Sequence, residues 1–135
     1  MLRTLIFTLL TILVTPACSD CMLTTGIYAS AGGSEQSTTL TLSANKKFTL
    51  THKNWQPGQY EKYQTISSNG NWTCNQDRVT LKFKNKSIQL KTTIAGKNPL
   101  ELNPKTKVLS FGEISDSSLD YLSNEILYLE TTFSN

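Results

Sequence analysis

Short runs of alternating apolar and polar residues recur along the chain from residue 25 onward. In residues 78–84, for example, Val79, Leu81 and Phe83 alternate with polar residues. A period of two places successive side chains on opposite faces of a strand, so that one face packs in a core and the other meets water. Gly, Asn, Ser and Pro interrupt the runs about every ten residues, which is typical of short antiparallel strands. Strands are predicted over residues 25–29, 38–43, 47–52, 59–67, 71–74, 78–84, 87–94, 100–102, 107–112 and 125–132.

The segments between these runs carry turn-forming residues. The hairpin turn 44–46 places Asn45 where a left-handed conformation is tolerated. Residues 31–36 and 53–58 are predicted loops, and residues 68–70 (Ser-Asn-Gly) predict a bend or bulge.

One short helix is predicted over residues 115–122, with Ser115 or Asp116 as its N-cap. The remaining elements are all strands, about eight to ten of them in about 118 residues. Closing such strands into a barrel removes exposed sheet edges. The predicted fold class is therefore all-β, with one small antiparallel barrel over residues 25–135.

The N-terminus has the composition of an export signal. Arg3 precedes a largely apolar run, residues 5–14, that is too short to cross a hydrocarbon core of about 30 Å as a helix. The run leads to Ala17-Cys18, which resembles a bacterial lipoprotein cleavage site, where a small residue precedes the lipid-modified cysteine. Thr15 departs from the aliphatic residue of that pattern, and an ordinary signal-peptidase site is the alternative. Residues 1–17 are predicted as signal peptide, Cys18 as the lipidation site and residues 18–24 as a tether.

The chain has three cysteines, and an odd number in an exported protein leaves one without a partner. Lipid on Cys18 would account for it, and Cys21 and Cys74 could then form a disulfide. That bond would close a loop of roughly 50 residues and stabilise the fold by about 3 to 4 kcal/mol. A Cys18–Cys21 bond or free thiols are the alternatives. Ser19 is not the Asp that resembles an inner-membrane retention signal, so an outer-membrane location is predicted.

Motifs for catalysis or metal binding are absent from the sequence. His52 is the one histidine, which argues against a histidine-based triad, and its position two residues after Leu50 predicts a buried structural side chain. No P-loop, nucleophile elbow or zinc-protease motif occurs. We therefore predict no enzyme activity, no cofactor and no metal.

Two features point instead to contacts with other molecules. A basic set along two neighbouring strands is either a solvated face or a docking surface for an acidic lipid or protein. Trp55 lies in the predicted loop 53–58 and is the candidate partner contact. The chain has 13 Lys and Arg against 10 Asp and Glu, a balance that does not favour a nucleic-acid partner. The basic set comprises Arg78, Lys82, Lys84, Lys86 and Lys91.

Several segments resemble the N-terminal domain of the NlpE family, outer-membrane lipoproteins associated with copper resistance and surface-stress sensing. The segments are Gly26-Ile27-Tyr28, residues 38–42, residues 47–50, Gly70-Asn71-Trp72 and residues 78–81. They span about half of the chain together with Cys18. The resemblance implies a lipocalin-like barrel on a lipid tether. Residues 31–36 lack the C-x-x-C of that family, so its metal and redox roles are not carried over to any residue.

These observations predict a non-enzymatic lipoprotein of the bacterial envelope that acts as an NlpE-like binding or sensing module in envelope stress or copper homeostasis. A periplasmic inhibitor of a hydrolase, such as lysozyme or a protease, is the first alternative. A carrier of a small apolar ligand is the second, and it would require an empty barrel interior.

Overall fold

A computed structural model describes residues 21–31, 35–55, 63–94 and 107–133. Eight antiparallel strands close into a barrel in sequence order, which confirms the predicted all-β, lipocalin-like fold class. A 3-10 helix, Ser117–Leu122, follows the seventh strand. The strands are β1 (Gly26–Ser30), β2 (Gln36–Leu42), β3 (Lys47–Trp55), β4 (Tyr63–Asn75), β5 (Arg78–Phe83), β6 (Lys86–Ile94), β7 (Lys107–Phe111) and β8 (Ile126–Thr132).

The alternating apolar residues point into the barrel and fill it. Within the fully buried set, Tyr28 donates a hydrogen bond of 2.6 Å from its Oη to the carbonyl of Thr24, and burial raises its pKa to about 12. Burial of this much apolar surface is the main force that stabilises the barrel. The cluster includes Tyr28, Leu40, Leu42, Phe48, Leu50, Trp72, Val79, Leu81, Phe83, Ile88, Leu90, Leu109, Phe111, Leu119, Leu122 and Leu127.

The two ends of the barrel differ. At one end, here called the disulfide end, Cys21 is bonded to Cys74 close to the β4–β5 turn, as predicted, and Met22 N donates to Gln76 O at 2.9 Å. At the opposite end, here called the helix end, the 3-10 helix covers the barrel with Leu119 and Leu122 buried. Asp116 caps this helix by accepting from the N–H of Ser118 at 2.9 Å.

Two predictions about the extent and regularity of strands are wrong. β3 continues to Trp55, so the predicted loop begins later than residue 53, because pairing with β4 runs through Trp55 and Tyr63. β4 is one uninterrupted strand without a register shift at residues 68–70. Glycine at position 70 allows this regular path, because any other residue there would bring its Cβ into overlap with the carbonyl oxygen of Lys82.

The irregularities occur elsewhere. The register shifts between β1 and β8 at Ile27 and Tyr28. In the β2–β3 turn the left-handed residue is Lys46, with a φ of 65°, and not Asn45. The Asn45 side chain instead accepts a hydrogen bond of 3.2 Å from Lys47 N, which stabilises the turn without a positive φ at that residue.

Several predictions lie outside the described residues. They concern the signal peptide 1–17, the lipidation site Cys18, the strand 100–102 and residues 56–58 of the loop 53–58. In the part of the chain that the structure describes, no helix has the length and apolarity needed to cross a bilayer.

Candidate functional site

β4 is much longer than the strand that follows it. It has 13 residues, and β3 pairs with it over its full length, from Asn71 to Tyr63. β5 has 6 residues and pairs only with residues 71–75 of β4. The chain reverses after Phe83 through Lys84, which has a φ of 50°. Among the described residues, segment 63–69 of β4 therefore has a strand neighbour on one side only, and we call this segment the open edge.

The backbone groups that the open edge presents follow from the pairing pattern. Trp72 N donates to Lys46 O of the β2–β3 turn at 2.9 Å, so the even-numbered residues of β4 point their backbone groups toward β3. Along a strand, the groups of alternate residues point to opposite sides. The N–H and C=O of the odd-numbered residues therefore point away from β3. Over residues 63–69 no backbone group from the described residues pairs with them.

The open edge also lacks the usual protection. Natural edge strands are shielded by charged residues, Pro or bulges. Residues 63–70 read Tyr-Gln-Thr-Ile-Ser-Ser-Asn-Gly, with neither a charge nor a proline, and their register with β3 is regular. An edge of this kind is suited to pairing with another extended chain.

A cleft of about 580 Å³ lies beside the open edge. Ile66 forms part of its wall and is 47% exposed, although its register partner His52 points into the barrel. Ile66 is uncovered because β5 ends before reaching it. Phe83, Leu119 and Tyr121 contribute the other apolar surface of the cleft.

The ring of Tyr121 packs against the buried ring of His52. The two rings lie 4.5 Å apart, and His52 is only 3% exposed. A hydrogen bond of 2.9 Å joins His52 Nδ1 to Thr38 Oγ1. Burial lowers the pKa of His52 and raises the pKa of Tyr121. His52 is thus a buried structural side chain that positions one wall of the cleft.

Lysine side chains form the polar rim of the cleft. Lys86 pairs with Asp116 at 2.9 Å and donates to Ser118 Oγ at 2.6 Å, which holds the β5–β6 hairpin against the 3-10 helix. Hydrogen bonds from Ser118, followed by that from Lys86, lower the pKa of Asp116 to about 2. Lys84, also in the rim, is exposed.

A second groove, of about 640 Å³, lies on the other side of the β5–β6 hairpin. It exists because β7 pairs only with residues 90–94 of β6. Its lining mixes cations, such as Arg78 and Lys91, with the carboxylates of Glu113 and Asp116. Charges of both signs define no single ligand chemistry here.

The predicted basic set divides into two parts. Arg78 and Lys91 are register partners near the disulfide end, where Lys91 lies 3.8 Å from Asp77. Lys84 and Lys86 belong to the β5–β6 turn at the helix end. Lys82 lies between them on the exposed face of β5. The set is thus a stripe along the barrel wall, as the alternation predicted.

Charge is distributed unevenly around the barrel. From residue 46 to residue 94, Asp77 is the one acidic residue among those described, whereas cations recur on every strand except β4. From residue 107 to residue 133 the described charges are mainly acidic. The cations are Lys46, Lys47, Lys53, Arg78, Lys82, Lys84, Lys86 and Lys91, and the later carboxylates are Glu113, Asp116, Asp120, Glu125 and Glu130. The β3–β6 wall therefore attracts anionic groups.

Trp55 lies at the end of β3 and not in a loop. Its backbone N–H donates to Glu35 O at 2.8 Å, and its partly buried ring lies 5.9 Å from that of Tyr63. Lys53 Nζ lies 5.0 Å from the centre of the Tyr63 ring. Tyr63 is 51% exposed. The proposed contact role of Trp55 stays a prediction, and these side chains flank the start of the open edge.

Sequence reasoning missed Ile66 and the open edge itself. The sequence does contain an uncharged stretch, residues 63–70, but whether this stretch lies at a sheet edge depends on where β5 ends.

Comparisons with protein families, with characterised proteins and with solved structures gave no match to this chain. Within residues 21–31, 35–55, 63–94 and 107–133, no three His, Cys, Asp or Glu side chains are grouped so that they could hold a metal ion. The described residues thus combine an apolar cleft, a cationic rim and an exposed strand edge.

Proposed function

We propose that the chain is a non-enzymatic, NlpE-like lipoprotein of the bacterial cell envelope that binds or senses a protein partner. In this proposal, lipid on Cys18 holds the disulfide end to the outer membrane, and the partner binds at the helix end. The observation that carries the proposal is that the Cys21–Cys74 bond and the open edge lie at opposite ends of β4.

The position of the disulfide supports a tether at one end of the barrel. Cys21 follows Cys18 by three residues and is bonded to Cys74 near the end of β4. β4 has 13 residues, so at about 3.3 Å per residue its two ends are about 40 Å apart. A lipid at Cys18 would therefore leave the cleft and the open edge directed away from the bilayer.

The packed interior supports surface binding over the carrier alternative. Side chains at the centre of the barrel, such as Leu40, Leu81 and Leu127, are completely buried, and close packing of this kind leaves no room for a ligand among them. The inhibitor alternative gains no support from Trp55, which is partly buried at the end of β3. The buried His52 is also unsuited to acid–base catalysis, because it cannot reach a substrate in solvent.

The tether is tested by labelling cells with a clickable fatty acid. We expect label on the wild-type protein, and we expect Cys18→Ala to lose the label and to move into the soluble periplasmic fraction. An unlabelled wild type would overturn the lipid tether.

The binding end is tested with a photo-cross-linking amino acid in intact envelopes. Ser67 and Thr73 are both exposed outward positions of β4, and they differ in the end of the barrel that they occupy. We expect a discrete protein adduct from Ser67 and none from Thr73. Equal adducts from both positions, or an adduct from Thr73 alone, would overturn the proposed orientation.

A further inference from the structure

We propose that the open edge of β4 binds an extended peptide segment of the partner as an added strand, and that this segment alternates apolar and acidic residues. The inference rests on the proposed function, since the peptide belongs to the partner. It goes further by naming the mode of binding and the chemistry of the peptide.

The backbone of the open edge supplies the hydrogen bonds. Tyr63, Thr65, Ser67 and Asn69 direct their N–H and C=O groups away from β3. An added strand of about seven residues can pair with all of them. Main-chain bonds of this kind provide affinity, while pockets for alternate side chains provide specificity.

The cleft accounts for the apolar positions of the peptide. In an added strand, every second side chain would point to the same side as Ile66. That side is the cleft, where Ile66, Phe83 and Tyr121 provide apolar surface. Burying the exposed part of Ile66 is favourable because it removes apolar surface from water.

The rim accounts for the acidic positions. Lys84 lines the cleft and is exposed, whereas Lys86, which also lines it, is already paired with Asp116. At the other end of the open edge, Lys53 lies beside Tyr63. Acidic side chains on the peptide would complement these cations. A second copy of this chain, paired edge to edge, would instead bring its own Lys53 and Lys84 to the same rim, so like charges disfavour it.

The probe is a fluorescent peptide of about seven residues that alternates Glu and Val, titrated against the exported full chain with Cys18→Ala. We expect saturable binding that weakens as salt is raised, because surface charge pairs are screened. A peptide alternating Lys and Val should bind at least about tenfold more weakly. Two further Glu–Val peptides carry N-methyl groups on alternate amides, one peptide on each edge of the strand. Both keep their side chains, and the one whose methylated edge faces β4 should bind at least about tenfold more weakly, because it lacks the main-chain donors.

The matched variants are Ser67→Pro and Ser67→Thr. Ser67 directs its N–H to the open edge and not to β3, and proline is tolerated where the N–H of an edge strand faces solvent. We expect Ser67→Pro to keep the urea midpoint of the wild type and to bind the peptide at least about tenfold more weakly, while Ser67→Thr binds normally. If Ser67→Pro does not fold, the N-methylated peptides decide the question with the wild-type chain.

Several outcomes would overturn the inference. They are equal binding of the Lys–Val peptide, equal binding of the N-methylated peptides, or a folded Ser67→Pro that binds normally. A dimer in sedimentation that Ser67→Pro abolishes would assign the edge to a second copy instead. Adducts from Ser67 in the envelope without peptide binding would refute strand addition alone and leave the proposed function intact. Peptide binding without any envelope adduct would count against the proposed function.

Discussion

Removing the Cys21–Cys74 disulfide should cost a large part of the stability of the barrel. The two residues are separated by 53 positions. In the chain-entropy model, a loop of that length lowers the entropy of the unfolded chain by about 14 cal/mol/K, which corresponds to about 4 kcal/mol at 25 °C. Domains of this size are stable by only about 5 to 15 kcal/mol. We therefore expect the Cys21→Ser/Cys74→Ser chain to fold with about 3 to 4 kcal/mol less stability and a melting temperature lower by about 15 °C.

Urea unfolding followed by tryptophan fluorescence is the assay, because Trp72 is buried, with 2% of its surface exposed. The dependence of the unfolding free energy on urea should also become steeper, since an unfolded chain without the cross-link exposes more surface. Cys18→Ala is the matched control: it removes a cysteine but keeps the disulfide, and it should unfold like the wild type.

Two results would refute this reasoning. Equal stability of the wild type and the double variant would show that the bond does not restrict the unfolded chain. A loss for Cys18→Ala as large as that for the double variant would show that Cys18 takes part in the pairing.

Three further predictions concern the packing. Burial lowers the pKa of His52, so the stability that this neutral side chain contributes is complete above about pH 6.5 and is lost as the pH falls through the lower folded-state pKa. The urea midpoint should therefore fall between about pH 8 and pH 5, and it should fall less in His52→Asn than in the wild type. Gly70→Ala should destabilise by about 1 to 3 kcal/mol, because the Cβ would overlap the Lys82 carbonyl, whereas Gly112→Ala, which meets no atom within 4 Å, should be neutral in the same thermal melts. Asp116→Ala should speed amide hydrogen exchange in the 3-10 helix at pH 7 without changing it at the disulfide end, and unchanged exchange would show that the cap does not hold the helix.

Most of the barrel wall could be predicted from local pattern. The alternation in β5 and β6 places Leu81, Ile88 and Leu90 in the core as expected, and the Cys21–Cys74 bond is one of the pairings that the sequence left open. The prediction failed at residues 68–70, where the turn-forming composition of Ser-Asn-Gly is overridden by continuous pairing with β3. The extension of β3 to Trp55 has the same cause, since hydrogen bonds from a neighbouring strand hold polar residues in an extended conformation.

The amino-acid sequence by itself determines which residues of each strand face inward, because that depends only on the alternation of neighbouring side chains. It also predicts an export signal over residues 1–17 and a lipidation site at Cys18. The tertiary structure alone decides that Ile66 and Tyr63 are exposed and that residues 63–69 have no second strand neighbour within the described part of the chain. These properties depend on where β5 ends relative to β4, and strand ends are matched by pairing between residues distant in the chain. No local sequence pattern encodes this long-range pairing, so the open edge can be recognised only in the closed barrel.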